Sequence, residues 1–458
     1  MRNSLSPYIK RLARHKWPKK SEKSPYHELA ALYQNSYVNR ARIFDGCLGL
    51  GLRSRALELS SALGGELSLL QRLELAALFG DMEQIQAVAV RIYEGCIKSR
   101  GNSKFVAPLT QRLAPILPGV VREIGEELGM DQVPSYAAVV SMIDPDAARR
   151  LFGKHELLSL GGDGRLLAAN LSSDQTEKLR CLQDYFSFHG LPPALSAGSL
   201  FSWGEIDARA APVESDIKPK PVSVIVTAYN CEALIQASLL SLLNQSLPPS
   251  EIIVVDDAST DRTAEKVRAL SSSNRCISLI TLPANVGTYK AKNVGLLRAG
   301  GDYVTFQDAD DLSHPNRLET CAQELQSDIR LVAVSCNYLR VDREGVFHSP
   351  KVWPLTQWSP NTLFFDRRCV SRYGLLMDDT RFGGDSEYAA RMKYMFGSIA
   401  HRKIKKPLLL ASHREESLMT SRLTGLNAQG MSMSRVAYQE EWSERLLSAA
   451  LRDVELGR

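Results

Sequence analysis

Asp302-Tyr303-Val304-Thr305-Phe306-Gln307-Asp308-Ala309-Asp310-Asp311 decides how this chain is read. Tyr303 to Phe306 are aromatic and β-branched residues that suit a strand. The strand runs directly into three carboxylates within four positions. Like charges this close repel, and each raises the cost of ionising the next. Such a cluster is comfortable when a cation sits among its members, and a divalent metal with oxygen ligands is the natural candidate. The stretch predicts a strand that ends at a metal.

Working outward, the texture repeats. Val222 to Thr227, Glu251 to Val255 and Ile277 to Leu282 are further short apolar runs. Ile235, Leu239, Leu242 and Leu243 mark a helix between the first two; Ala264, Val267 and Leu270 mark a second; Lys290 to Arg298 forms a third. Alternating strand and helix predicts a mostly parallel sheet covered by helices, with ligands bound beyond the C-terminal strand ends. Those ends carry Thr227-Ala228-Tyr229-Asn230, Asp256-Asp257 and Asp308 to Asp311. Tyr229 offers a flat face for a base, Thr227 a hydroxyl, and Asp256 or Asp257 an acceptor for a ring N–H or a ribose hydroxyl. Ser259, Thr260 and Asp261 read as a helix cap.

Four stretches in this order, 221–230, 254–261, 285–295 and 308–311, resemble glycosyltransferase family 2. The resemblance spans residues 221–415 and implies a GT-A fold, an α/β sheet that binds a nucleotide-activated sugar. It implies base-pocket roles for Thr227, Tyr229 and Asp257 or its neighbour Asp256. Lys290 and Lys292 would lie near the diphosphate, and Asp308 near the ribose and donor sugar. Asp310 or Asp311 would hold Mn2+ or Mg2+, with His413 in a later loop beside the metal or diphosphate. The segment Phe382-Gly383-Gly384-Asp385-Ser386-Glu387-Tyr388 aligns with an acidic pair that opens a helix in the family. Gly384 stands where the first acid is expected, and Asp385 aligns with the catalytic base. Trp353 and Trp358 fall on the acceptor side.

The chain has 458 residues, too many for one core. We expect a basic tail (1–25), a helical hairpin or bundle domain (26–130), a mixed α+β region (131–207), a linker (208–220), the GT-A domain (221–415) and a C-terminal helical extension (416–458). In the helical domain Ile85, Val88, Ala89 and Ile92 share one face. In the mixed region Ala137 to Val140 and Leu166 to Ala168 suggest strands, and Ser173 to Phe186 a helix. A net charge of only +5 gives no general case for nucleic acid. The first 23 residues, with eight Lys or Arg against Glu22, suit a disordered tail or one that rests on anionic lipid. The eight cysteines form no Cys-x-x-Cys pair and fit reduced thiols in a cytoplasmic protein, peripheral at most to the inner face of a membrane.

The expected activity is a metal-dependent inverting transfer of a sugar from a nucleoside diphosphate, UDP above others, to a hydroxyl of a glycan or lipid-linked acceptor in bacterial-type surface polysaccharide synthesis. The rival reading is an inactive transferase-like scaffold whose helical half binds a protein partner or a second copy. A sugar nucleotidyltransferase would open with a Gly-rich basic loop after the first strand, and Ala228 to Glu232 contains neither glycine nor a basic residue.

Overall fold

The computed structural model describes residues 24–34, 40–63, 67–79, 81–129, 133–193, 220–414 and 432–455. Residues 1–23 of the basic tail and the linker at 208–220, apart from Lys220, lie outside the described residues. The chain forms two compact units.

The first unit, built from 194–338 and 358–411, carries the strand-and-helix alternation. In chain order the strands are β1 (Val222–Ala228), β2 (Glu251–Asp256), β3 (Ile277–Thr281) and β4 (Tyr303–Asp308), followed by β5 (Leu312–Ser313), β6 (Ala333–Val341), β7 (Phe347–His348), β8 (Gln357–Trp358), β9 (Phe364–Asp366) and β10 (His401–Ser412); β7 and one end each of β6, β8 and β10 fall in the second unit. The sheet order is β3-β2-β1-β4-β9-β6-β10-β5. The half from β3 to β4 is parallel throughout, and the sheet turns antiparallel at β9. This is the mostly parallel, helix-covered α/β sheet that the alternation predicts, extended by antiparallel strands. Every residue of β1 is buried, so the run shows no alternation, as expected for a strand covered on both faces.

The helix Thr288–Arg298 packs on β1 and β2. Gly295 permits the close approach: a Cβ there would stand 2.4 Å from Ile225 Cγ2. Ile225, Val255, Tyr289, Phe306, Phe365 and Tyr388 belong to one buried cluster beneath the site.

The second unit takes in 25–193, 339–357 and 412–458. Twelve helices run from Pro25 to Phe188 among the described residues. Ile85, Val88, Ala89 and Ile92 are all buried, as their spacing requires. The strands expected at Ala137 to Val140 and Leu166 to Ala168 are instead parts of the helices Pro134–Ile143 and Gly162–Leu171. The first is buried at every position from Ser135 to Val140, which erases the periodicity that separates a helix from a buried strand. Pro134 at its first turn is the signal that favours a helix. The described part of 131–207 is thus helical, not mixed.

The helix Met433–Glu455 packs on Pro25–Gln34 in this same unit. Arg55 pairs with Glu444 through two bonds of 2.7 and 3.0 Å, Ser443 donates to the Leu50 carbonyl at 2.6 Å, and His27 lies 3.3 Å from Asp453. The C-terminal extension completes the N-terminal helical unit. No helix among the described residues is long and apolar enough to cross a membrane.

Candidate active site

Strand register gathers the expected residues. Thr227 on β1 lies opposite Asp308 on β4, and Ala228 opposite Asp256 on β2. The end of β1 therefore sits between two carboxylates contributed by its neighbours. Thr227 is buried, and its hydroxyl is 3.0 Å from that of Thr288. Tyr229, one residue past the strand, is 51% exposed and presents its ring at the surface. Asn230, with a φ of 46°, holds the turn: its side-chain oxygen accepts from the Thr260 N–H at 2.8 Å. Asp261 accepts from the Thr263 and Glu232 N–H groups, both at 3.0 Å, just ahead of the helix Thr263–Ser273; the cap expected among Ser259, Thr260 and Asp261 falls instead at Arg262, which makes no side-chain cap bond.

Asp256 and Asp257 differ in what they have left to offer. Both oxygens of buried Asp257 are used, accepting from the Val286 N–H at 2.7 Å and the Gly287 N–H at 2.8 Å. It anchors the loop that leads into Thr288–Arg298. Asp256 accepts from the Ser259 N–H at 3.3 Å through Oδ1, while its buried Oδ2 has no partner. An orphaned buried acceptor is what a ligand N–H or O–H would satisfy.

Asp308 is bound on both oxygens. Lys292 Nζ lies 3.1 Å from Oδ1, Asn361 Nδ2 donates to Oδ2 at 3.0 Å, and Lys292 donates to the Asn361 oxygen at 2.6 Å. Lys292 is 2% exposed and sits 5.4 Å from the Phe306 ring centroid and 5.7 Å from that of Tyr289. The sequence places Lys292 near the diphosphate; the structure shows it as a buried partner of Asp308. Lys290 pairs with Asp379 at 2.8 Å on an exposed surface.

Asp310 is half-buried and Asp311 buried in the turn after β4. The turn is fastened from behind: Gln307 donates to the Asp311 carbonyl at 3.1 Å, and buried Arg317 donates to Gln307 at 3.1 Å and to the Phe306 carbonyl at 2.8 Å. Among the described residues, no three His, Cys, Asp or Glu side chains are grouped to hold a metal ion. His413 falls in the second unit, its ring stacked on His348 at 4.0 Å. Burial, then the neighbouring His348 and Arg340, push its pKa down to about 4. The turn after β4 itself offers two carboxylates, Asp310 and Asp311. That suits Mg2+ or Mn2+ with substrate oxygens completing the shell.

Asp385 opens the helix Gly384–Phe396 and is half-buried. Its Oδ1 accepts from the Tyr289 hydroxyl at 3.1 Å and from the Ser386 N–H at 2.9 Å. Gly384, the departure from the acidic pair, has a steric cause. A Cβ there would meet Tyr289 Cγ at 2.9 Å and Thr380 Cγ2 at 3.0 Å. The ring that reaches Asp385 leaves no room for a side chain before it. The same region is bracketed by Asn293, which exchanges two bonds with the Met377 backbone at 2.8 and 2.9 Å, and by Arg381, which donates to Asn285 at 2.5 Å.

Trp358 donates its indole N–H to Ser335 at 2.7 Å, with Lys403 Nζ 3.7 Å from the ring centroid; Trp353 belongs to the second unit. Two residues escaped sequence reasoning. Asn361 stands in a segment without periodicity. Tyr289 lies inside the stretch 285–295 but reads there as an ordinary helical residue.

Residues 223–382 match the family model described as Glycosyl transferase family 2. An uncharacterized glycosyltransferase of Haemophilus influenzae is 36% identical over 124 residues, which is 27% of this chain and 49% of that protein. The hyaluronan synthase of Pasteurella multocida is 34% identical over 139 residues, 30% of this chain and 14% of the synthase. The chain thus spans about half or less of the length of these relatives. A crystal structure of S. aureus TarS with UDP-GlcNAc aligns at a TM-score of 0.38 and 22% identity, covering 50% of this chain and 71% of that one. With the family match laid over β1 to the threshold of the Asp385 helix, residues 223–382 are a glycosyl transferase family 2 domain.

Proposed function

We propose that the protein is an inverting glycosyltransferase that moves a sugar from a nucleoside diphosphate, UDP above others, to a hydroxyl of a glycan or lipid-linked acceptor during surface polysaccharide synthesis. The observation that carries the reading is the orphaned Asp256 Oδ2 at the C-terminal ends of adjoining strands that also carry exposed Tyr229 and Asp308. A base stacked on Tyr229 could donate a ring N–H to Asp256.

Asp308, held by Lys292 and Asn361, faces the ribose or the sugar. Asp310, or its neighbour Asp311, would hold a divalent cation together with diphosphate oxygens. When bound, the cation offsets the charge that grows on the leaving nucleoside diphosphate. Asp385 takes the proton of the acceptor hydroxyl as that oxygen attacks the anomeric carbon, and the bond to the diphosphate breaks on the opposite face. A single displacement of this kind inverts the configuration and needs no covalent nucleophile.

In a donor-plus-acceptor assay, Asp385→Asn should lower turnover by about 10²- to 10⁴-fold with an unchanged melting curve. Near-normal turnover would remove Asp385 from the base role. A thermal-shift screen of nucleotide sugars, with and without manganese, tests donor and metal together: a selective donor raises the melting temperature by mass action. No shift with any donor would favour the scaffold.

A further inference from the structure

We infer that Tyr289 is the positioning residue of the base: its hydroxyl pins Asp385 through Oδ1 and leaves Oδ2 as the atom that accepts the proton. The inference rests on the assignment of Asp385 as base and adds to it a second residue and a specific oxygen.

A carboxylate at the start of a helix can turn about its side-chain torsions, and either oxygen could face a substrate. Here they are not equivalent. Oδ1 accepts two hydrogen bonds, from Tyr289 at 3.1 Å and from the Ser386 N–H at 2.9 Å. Oδ2 makes none among the described residues. The Tyr289 ring is itself fixed. It is 6% exposed, belongs to the core cluster with Phe306 and Tyr388, and lies where Gly384 leaves space for it.

Tyr289 also reports on the other side of the pocket. It follows Thr288, whose hydroxyl contacts that of Thr227, and the Gly287 N–H that Asp257 holds. One short stretch, 287–289, therefore touches the end of β1, the carboxylate after β2 and the base. A hydroxyl acceptor would lose its proton to Oδ2 while its oxygen bonds to the anomeric carbon. The electron pair of the breaking bond leaves with the nucleoside diphosphate. Tyr289 keeps its own proton throughout and contributes by orientation, where small misplacements are costly.

The test is Tyr289→Phe in the full chain, which deletes the hydroxyl and keeps the ring. UDP release is followed with a panel of UDP-hexoses and UDP-N-acetylhexosamines, water or short oligosaccharides serving as acceptor. The expected result is a kcat about ten- to hundredfold lower, with donor KM and the melting temperature unchanged. Placed in the Asp385→Asn background, the same substitution should cost nothing more, because the two residues act as a unit. Gly384→Ala, which crowds the ring, should lower kcat in the same direction. Wild-type kcat in Tyr289→Phe, with Asp385→Asn inactive, overturns the positioning role alone. So does a full additional loss in the double variant. Near-normal turnover in Asp385→Asn, or no release by the wild-type protein from any donor, overturns the base assignment beneath it.

Discussion

Lys292 is a cation at 2% exposure whose partners are Asp308 and Asn361. Removing one member of a buried pair leaves the other uncompensated, which is costly. Asp308→Ala should therefore lower the stability of the ligand-free protein by about 2 kcal/mol, less than for a fully buried pair because Asp308 is 41% exposed. Urea denaturation without donor measures this; an unchanged midpoint would mean that Asp308 serves ligands alone. Adding Lys292→Met should restore much of the stability while activity stays lost. The same pair explains what the sequence could convey. Three acids in four positions called for a cation, and the one the structure places beside Asp308 is Lys292, sixteen positions earlier in the chain. Charge crowding is legible in sequence. The identity of the compensating charge is not, because burial and register decide it. Asp256 and Asp257 show the same limit: as adjacent aspartates they read alike, and only the backbone bonds to Val286 and Gly287 separate anchor from open acceptor.

At the scale of elements, the helix Thr288–Arg298 links the strand ends to the segment that carries Asp385. Asn293 is the firmest of its links, since its amide satisfies both the N–H and the carbonyl of Met377. Asn293→Ala should cost about 2 kcal/mol by leaving both groups unpaired. It should also loosen Asp385, so that kcat falls while donor affinity holds; paired calorimetry and turnover measurements check both. Strands and helices from Val222 to Asp308 were readable because each keeps its period or its β-branched run between clear turn residues. The helices at Pro134–Ile143 and Gly162–Leu171 were not, since burial on nearly every side removes the polar positions that reveal a period.

For the whole molecule, the two units are interleaved in sequence rather than placed end to end. Removing 432–458 should unmask the apolar face of Pro25–Gln34, where Tyr26 and Leu29 are each 2% exposed. The helical unit should then lose protection in hydrogen exchange, while the strands β1 to β4 keep theirs. Equal loss in both units would show that they fold as one. This arrangement was hidden from sequence reading because the match between the first and last described helices depends on complementary faces some four hundred residues apart.

The return of Met433–Glu455 to Pro25–Gln34 also orders events during synthesis. Domains commonly fold from the N-terminus as they emerge from the ribosome. Here the helices that emerge first must wait, with one seam open, until translation has passed through the family 2 segment. An interrupted message would release a chain that holds the family 2 segment but carries an unsealed helical unit. Such a product should be cleaved faster than the full chain, a difference that limited proteolysis would read.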